Sequence, residues 1–152
     1  MSTMKPATTE DAQLILKLYE LRREDEMRKA RNWYFFEFNP QSVDDVRAVW
    51  FNPQHPHNAH FRMVTTYWDM AASFVVHGTL NGDLFLESGN EMISIWAVIG
   101  DYIEELRKLS GLTTYLGNID KVIQAHPAAQ ERLAWMKKMI ERRRESAKPE
   151  NP

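Results

Sequence analysis

The spacing of apolar residues is the feature that most limits what this chain can fold into. Between residues 9 and 146, apolar side chains recur at three- and four-residue steps, which is the pattern of one helix face. The two-residue alternation that a half-buried sheet needs is missing. We therefore predict an all-α fold, a single-domain bundle of five to six helices that are mostly antiparallel. Residues 1–8 are predicted to be a flexible N-terminus, and residues 147–152 a disordered tail.

Local start and stop signals divide this pattern into helices. Thr8 and Asp11 form a variant of the capping box, so the first helix is predicted to begin at Thr8 or Thr9 and to end only at Asn39-Pro40. A strong apolar pattern predicts another unbroken helix over Glu91 to Leu109. The remaining signals are caps at Ser42 and Asn58, stops at Gly78 and Gly111, a helix from about Leu112 to Ala125, and a last helix from Pro127 to about Ser146.

The composition excludes several kinds of function. The 152 residues carry a formal net charge of −2, so no overall field attracts nucleic acid or anionic lipid. The absence of cysteine excludes disulfides, thiolate zinc sites and thiol nucleophiles. No apolar stretch approaches the ~20 residues of a membrane helix, and the first residues lack the apolar core of a signal peptide. We expect a cytoplasmic globular protein with no membrane partner.

Five cations make the last predicted helix basic, which is also how a nucleic-acid footprint looks. Cations near a helix C-terminus are favoured by the macrodipole, and Glu141 and Glu145 are interspersed among these. Since the chain has no DNA-binding motif, we favour the structural interpretation and predict no nucleic-acid partner. The cations are Lys137, Lys138, Arg142, Arg143 and Arg144.

Four short segments and one tryptophan point to a known family. They are Leu18-Tyr19-Glu20-Leu21-Arg22-Arg23, Phe61-Arg62-Met63-Val64, Tyr67-Trp68-Asp69-Met70-Ala71-Ala72 and Asp83-Leu84-Phe85-Leu86, with Trp96 downstream. In these segments the chain resembles a bacterial all-helical family of unknown function, over roughly residues 10–125. The resemblance implies a helical, non-secreted protein. It implies no activity, cofactor or catalytic residue.

A histidine-rich loop precedes the third predicted helix. His55, His57 and His60 lie within it, and neutral imidazoles are good ligands for zinc, nickel and copper. Their spacing matches no established zinc pattern, and no carboxylate lies in the loop to complete a ligand set. We therefore favour a polar loop that caps a helix and expect no metal or other cofactor, with weak metal binding as the alternative.

Asp69 and His77 lie two turns apart on one predicted helix, on roughly the same side. A carboxylate held near Trp68 could have a raised pKa and act as a general acid or base. Glu87 and Glu91 could face Asp69 from the following helix. The competing interpretation, which we favour, is a structural hydrogen bond between Asp69 and a neighbouring Trp, Tyr or Arg62, together with a solvated pair of glutamates.

Aromatic residues are concentrated just before Asn39-Pro40. They cannot all point inward from one helix, because successive side chains differ by about 100°. One interpretation is an interface or the lining of a ligand cleft, together with Trp68, Asp69 and His77. The other is burial on both sides, between the bundle and the short second helix. The cluster comprises Trp33, Tyr34, Phe35, Phe36 and Phe38.

No motif for a nucleophile, a phosphate loop or a dinucleotide site occurs in the sequence. We therefore name no catalytic residue and favour a non-enzymatic function. The preferred hypothesis is a helical protein-interaction module that self-associates into a homo-oligomer. The alternative is binding of a small apolar or aromatic ligand between helices, near Trp33, Trp68 or Trp96. A hydrolytic or metal-dependent enzyme that uses Asp69 and His77, or the His55–His60 loop, comes third.

Overall fold

A computed structural model describes residues 5–146 and 148–149, and every regular element within those ranges is helical. The predicted flexible N-terminus and disordered tail fall partly outside the described residues, at positions 1–4, 147 and 150–152. The α-helices are α1 Thr9–Leu21, α2 Asp25–Asn32, α3 Val43–Trp50, α4 Asn58–Val76, α5 Gly82–Glu87, α6 Glu91–Ile99, α7 Ile103–Ser110, α8 Gly117–Ala125 and α9 Pro127–Ser146. A π-helical turn covers Trp33–Glu37, and a 3-10 turn covers Gly100–Tyr102.

The described residues form nine α-helices instead of the five to six predicted, because two long predicted helices are broken and α5 is a separate short helix. The first breaks after α1, and the Glu24 side chain caps the new start by accepting a hydrogen bond from the Met27 N–H at 3.1 Å. The second breaks at Gly100, where a Cβ atom would lie only 2.9 Å from the indole of Trp96. The chain thus changes to a 3-10 turn where the Trp96 ring occupies the space beside the backbone.

Most predicted start and stop signals are confirmed. The capping box of Thr8 and Asp11 forms, and Gly78 and Gly111 end their helices with φ of 75° and 77°. Two boundaries differ. Asn58 lies inside α4, where its amide donates to the Val49 and Trp50 carbonyls at the end of α3. The helix predicted from Leu112 begins only at Gly117, after a run of turns.

The core is built around α4, which packs against α2, α3, α6 and α8. Its Phe61 and Val64 are fully buried, as are Ile95 and Ile99 of α6 and Ile119 of α8. Complete burial of such a side chain stabilises the fold by about 1.5–3 kcal/mol. The last helix, α9, lies across α6 and α8 and buries little of its own surface.

Candidate functional site

An apolar cleft lies where α1, α4, α5 and α6 meet. The cavity volume of this cleft is about 40 Å³, which is room for a few water molecules and far less than the roughly 300–1,000 Å³ of a typical ligand pocket. The cleft is therefore a shallow recess for a single side chain. Apolar side chains form most of its walls, and Arg22 and Ser88 add polar groups. The lining residues are Ile15, Leu18, Tyr19, Arg22, Trp68, Phe85, Leu86, Ser88, Gly89, Met92 and Ile93.

Arg22 lies between two aromatic rings at this cleft. Its guanidinium carbon is 4.7 Å from the centre of the Tyr19 ring and 6.0 Å from that of the Trp68 ring, within the range of cation–π attraction. Arg23 also lies over the Tyr19 ring, at 5.7 Å. Two cations and an exposed aromatic ring therefore lie together beside an apolar recess.

A charged network centred on Glu91 lies next to the cleft and contacts two of the residues that line it. Arg31 donates to Glu91 Oε1 through Nε at 2.8 Å and through a terminal nitrogen at 2.6 Å. The indole N–H of Trp68 donates to Oε2 at 2.8 Å, and Arg22 lies 3.9 Å from the same oxygen. The Glu91 side chain is only 13% exposed, so these contacts replace most of its water. The network holds Trp68 and Arg22 in place at the cleft.

The outer face of α1 carries exposed apolar residues next to the cleft. Leu16 is 66% exposed and Tyr19 is 50% exposed, and both lie on the same side of the helix because they are three residues apart. Ala12 and Arg23 continue this stripe at helical spacing, and both are exposed. We call Ala12, Leu16, Tyr19 and Arg23 the α1 stripe. Tyr19 belongs to both the stripe and the cleft, so the two form one continuous surface.

The aromatic cluster is divided between core and surface. Trp33 and Tyr34 are buried, and the Tyr34 hydroxyl donates to the Ile95 carbonyl at 2.9 Å. Phe35 and Phe38 are partly buried against the core. Phe36 is 68% exposed at the tip of the π-helical turn, beneath Arg143 of α9. Of the five aromatics, Phe36 therefore presents the most surface for a contact.

Asp69 caps a neighbouring helix. Its Oδ1 accepts the N–H groups of Asn118 and Ile119, both at 3.1 Å, and its Oδ2 accepts the Asn118 side-chain amide at 3.1 Å. These N–H groups belong to the first turn of α8, which has no side-chain cap from its own preceding residue. Asp69 therefore has a structural role, but its partners are on α8 and not the neighbouring Trp, Tyr or Arg62 that the sequence suggested. His77 is exposed at the far end of α4 and is not part of this group.

The two glutamates proposed to face Asp69 do not do so. Glu91 belongs to the network with Arg31 and Trp68, and Glu87 is exposed at the end of α5. The Arg31–Glu91 pair was missed from the sequence because its members are 60 residues apart. No local spacing signals such a pair. The one hint was an isolated glutamate at the start of the most apolar helix pattern.

The histidine loop brings two of its three rings into contact. The Nδ1 atoms of His57 and His60 are 3.3 Å apart, and the His57 backbone N–H donates to His55 Nδ1 at 3.0 Å. The His57 ring stacks on the Trp33 indole, with ring centres 4.7 Å apart and an angle of 11° between the planes. Within residues 5–146 and 148–149, no group of three or more His, Cys, Asp or Glu side chains is arranged to hold a metal ion.

Acid is expected to destabilise the protein through His57. Its partial burial lowers the pKa of His57 below the ordinary value of 6.5, nearby His60 and His55 lower it further, and Glu37 opposes them. The unfolded chain therefore binds a proton that the folded chain does not. The stability contributed by neutral His57 is present above pH 6.5 and is lost as the pH falls through the lower folded pKa.

Urea unfolding on either side of pH 6.5 measures this effect. The midpoint should be lower in mild acid for the natural chain, and His57→Gln should reduce the difference because glutamine does not titrate. His77→Gln is the control, since His77 is exposed. An equal drop in the natural chain and in His57→Gln would contradict the prediction.

Of the five cations that were noted from the sequence in the last helix, three bind groups within the chain. Arg143 donates to the carbonyls of Phe35 and Phe36, and Arg144 donates to the Pro40 carbonyl and the Asn39 side chain. Lys137 forms an ion pair with Asp101 at 2.8 Å. These contacts agree with a structural interpretation of the basic helix, because they attach α9 to the π-helical turn and to the 3-10 turn.

Comparison with known proteins identifies the family. A family model described as a domain of unknown function (DUF4760) matches residues 7–125, which is most of the chain. The chain belongs to the DUF4760 family. The DUF4760 match ends just before α9, so it spans α1 to α8 and leaves the basic helix outside. No curated protein and no solved structure matches this chain. None of the described helices is both long enough and apolar enough to cross a membrane.

The DUF4760 match confirms the resemblance to a family of unknown function. Of the segments that carried it, Leu18–Arg23 and Asp83–Leu86 both contribute to the apolar cleft, and Tyr67–Ala72 contributes Trp68. The Tyr67 hydroxyl also donates to the Leu18 carbonyl and so joins α4 to α1. Three of the four segments therefore meet at one place in the fold, which makes the cleft and the α1 stripe the candidate functional surface.

Proposed function

We propose that this chain is a non-catalytic helical module that acts through protein contacts, and that a second copy of the chain is one of its partners. The observation that carries the proposal is the α1 stripe beside the apolar cleft. Leu16 is 66% exposed to solvent, and Tyr19 is 50% exposed. Contiguous exposed apolar surface next to a recess is typical of protein-binding surfaces.

The residue types at this surface also fit a protein contact. Tyrosine and arginine are among the residues that dominate the energetics of protein interfaces, and Tyr19 and Arg22 lie side by side here, next to the buried Trp68 ring. The Glu91 network fixes Trp68 and Arg22 before any partner arrives, so little side-chain entropy is lost on binding. A stripe that pairs with the same stripe of a second copy forms a closed two-fold dimer, the commonest type of homo-oligomer.

Replacing Leu16 and Tyr19 together with serine should abolish self-association. Both side chains are exposed, so the double variant should fold with nearly unchanged stability. The measurement is size-exclusion chromatography with light scattering over a range of chain concentrations. We expect the natural chain to elute as a dimer at high concentration and the double variant as a monomer.

Phe36→Ser is the matched control for this experiment. Phe36 is as exposed as Leu16, but it lies on the π-helical turn and not on α1. We expect this variant to dimerise like the natural chain. If Phe36→Ser alone dissociated the dimer, the interface would have to be assigned to the aromatic cluster instead of the α1 stripe. A natural chain that stays monomeric at all concentrations would contradict self-association itself.

The other interpretations of the sequence receive less support. The cleft is too small for a drug-sized apolar ligand unless its walls move. Asp69 uses both oxygens to cap α8, which favours a structural role over acid–base chemistry with His77. We also keep three predictions from the sequence as part of this proposal. They are a bacterial origin, a cytoplasmic location and a mostly antiparallel order of the helices.

A further inference from the structure

Two histidines at the start of α4 face each other through the same ring nitrogen. His57 immediately precedes the helix and His60 lies in its first turn, so their side chains share one side. Their Nδ1 atoms are 3.3 Å apart. Two ligands of a tetrahedral zinc ion, at Zn–N distances of about 2.0–2.1 Å, are separated by about 3.3–3.4 Å. We infer that His57 and His60 form a two-nitrogen chelate for zinc, with solvent completing the coordination.

A carboxylate lies behind one of the two ligands. Glu26 Oε2 of α2 is 3.7 Å from His60 Nε2, the ring nitrogen that does not face His57. The other carboxylate oxygen of Glu26 accepts a hydrogen bond from Lys29 at 3.1 Å. Ligating histidines usually have a carboxylate beside their second N–H, which orients the ring and makes the coordinating nitrogen more basic. At 3.7 Å, Glu26 would act on His60 through its charge, favouring a proton on Nε2 and leaving Nδ1 free to bind.

The surroundings of His57 hold its ring in place. The Trp33 indole stacks on the ring at 4.7 Å, and His55 accepts the His57 backbone N–H. With two protein ligands, binding would be reversible and weaker than in a structural zinc site. The chelate goes beyond the proposed protein contact and does not depend on it.

Calorimetric titration of the full chain with zinc ions, after treatment with a chelator, tests the inference. We expect one ion to bind the natural chain, and His60→Gln to weaken binding by at least about tenfold. Glu26→Gln should weaken it by a smaller factor, because it removes only the orienting group. His77→Gln is the matched control, since His77 is an exposed histidine at the opposite end of α4, and its binding should be unchanged.

The nitrogen resonances of the imidazoles distinguish coordination from a structural effect of the variants. In ¹⁵N-labelled chain, zinc should shift the Nδ1 signals of His57 and His60 and leave those of His77 and His126 in place. His60→Gln keeps the stacking of His57 on Trp33, so its fold can be verified by circular dichroism. Zinc binding of equal strength in a His57→Gln, His60→Gln double variant would overturn the inference. So would unshifted Nδ1 signals, or a natural chain that binds no zinc at submillimolar concentration.

Discussion

Replacing Glu91 with alanine is expected to lower the free energy of unfolding by about 3 kcal/mol, the largest effect of any single substitution considered. The change removes the acceptor for both Arg31 hydrogen bonds and leaves a guanidinium that is only 25% exposed without its counter-charge. It also removes the acceptor of the Trp68 indole N–H. For a domain of this size the melting temperature should fall by about 9 °C.

Glu87→Ala is the matched control for Glu91→Ala. Glu87 lies one turn before Glu91 in the sequence but is exposed at the end of α5, so its loss should change stability by less than about 0.5 kcal/mol. Equilibrium unfolding in urea measures both variants. If the two variants were equally stable, the Glu91 network would contribute nothing to the fold. The double change Arg31→Met, Glu91→Met should recover only part of the loss, because it removes the Arg31 charge together with its partner but still leaves Arg22 without the Glu91 carboxylate.

Replacing Asp69 with alanine is expected to cost about 2 kcal/mol of unfolding free energy, the second largest effect. The substitution removes three hydrogen bonds and leaves the first N–H groups of α8 without a side-chain acceptor. Asp69→Asn should cost less than about 1 kcal/mol, since asparagine also accepts hydrogen bonds at a helix start.

Amide hydrogen exchange locates the effect of Asp69→Ala. The N–H groups of Asn118 and Ile119 should exchange faster in the alanine variant than in the asparagine variant, because they are the groups that Asp69 holds. Exchange at α1 and α2, which lie outside this contact, provides the reference. Unchanged exchange at Asn118 and Ile119 would show that solvent or a neighbouring residue replaces the cap at no cost.

Local sequence signals located most helix ends and failed where a distant residue decides the backbone. Thr8 with Asp11, Gly78 and Pro127 act within one turn of their own helix, so their positions could be read directly. The role of Asn58 depends on the end of α3, whose carbonyls its amide binds. Helical spacing does not show that these groups meet. The Trp96 ring beside Gly100 is local, one turn earlier, but the spacing of apolar residues does not show which space that ring fills.

The candidate surface could be predicted only in parts. The sequence named Trp68 and the aromatic cluster, but it did not separate exposed Phe36 from buried Trp33 and Tyr34. It did not identify Leu16 and Tyr19 as exposed, because an apolar residue has the same helical spacing whether or not another helix covers it. The sequence also placed His57 and His60 in the same loop. The distance of 3.3 Å between their Nδ1 atoms depends on the residue at which α4 begins, which the sequence did not show.

The sequence alone determined that this chain is helical, because apolar side chains at helical spacing are removed from water only when the helices pack against one another. It also determined the caps and glycines that begin and end individual helices. Only the tertiary structure decided the partners of its charges, with Glu91 bound to Arg31 and Asp69 to the start of α8. The reason is physical: helix formation depends on residues a few positions apart, whereas a charge inside the fold pairs with whichever group the packing of distant helices brings within reach.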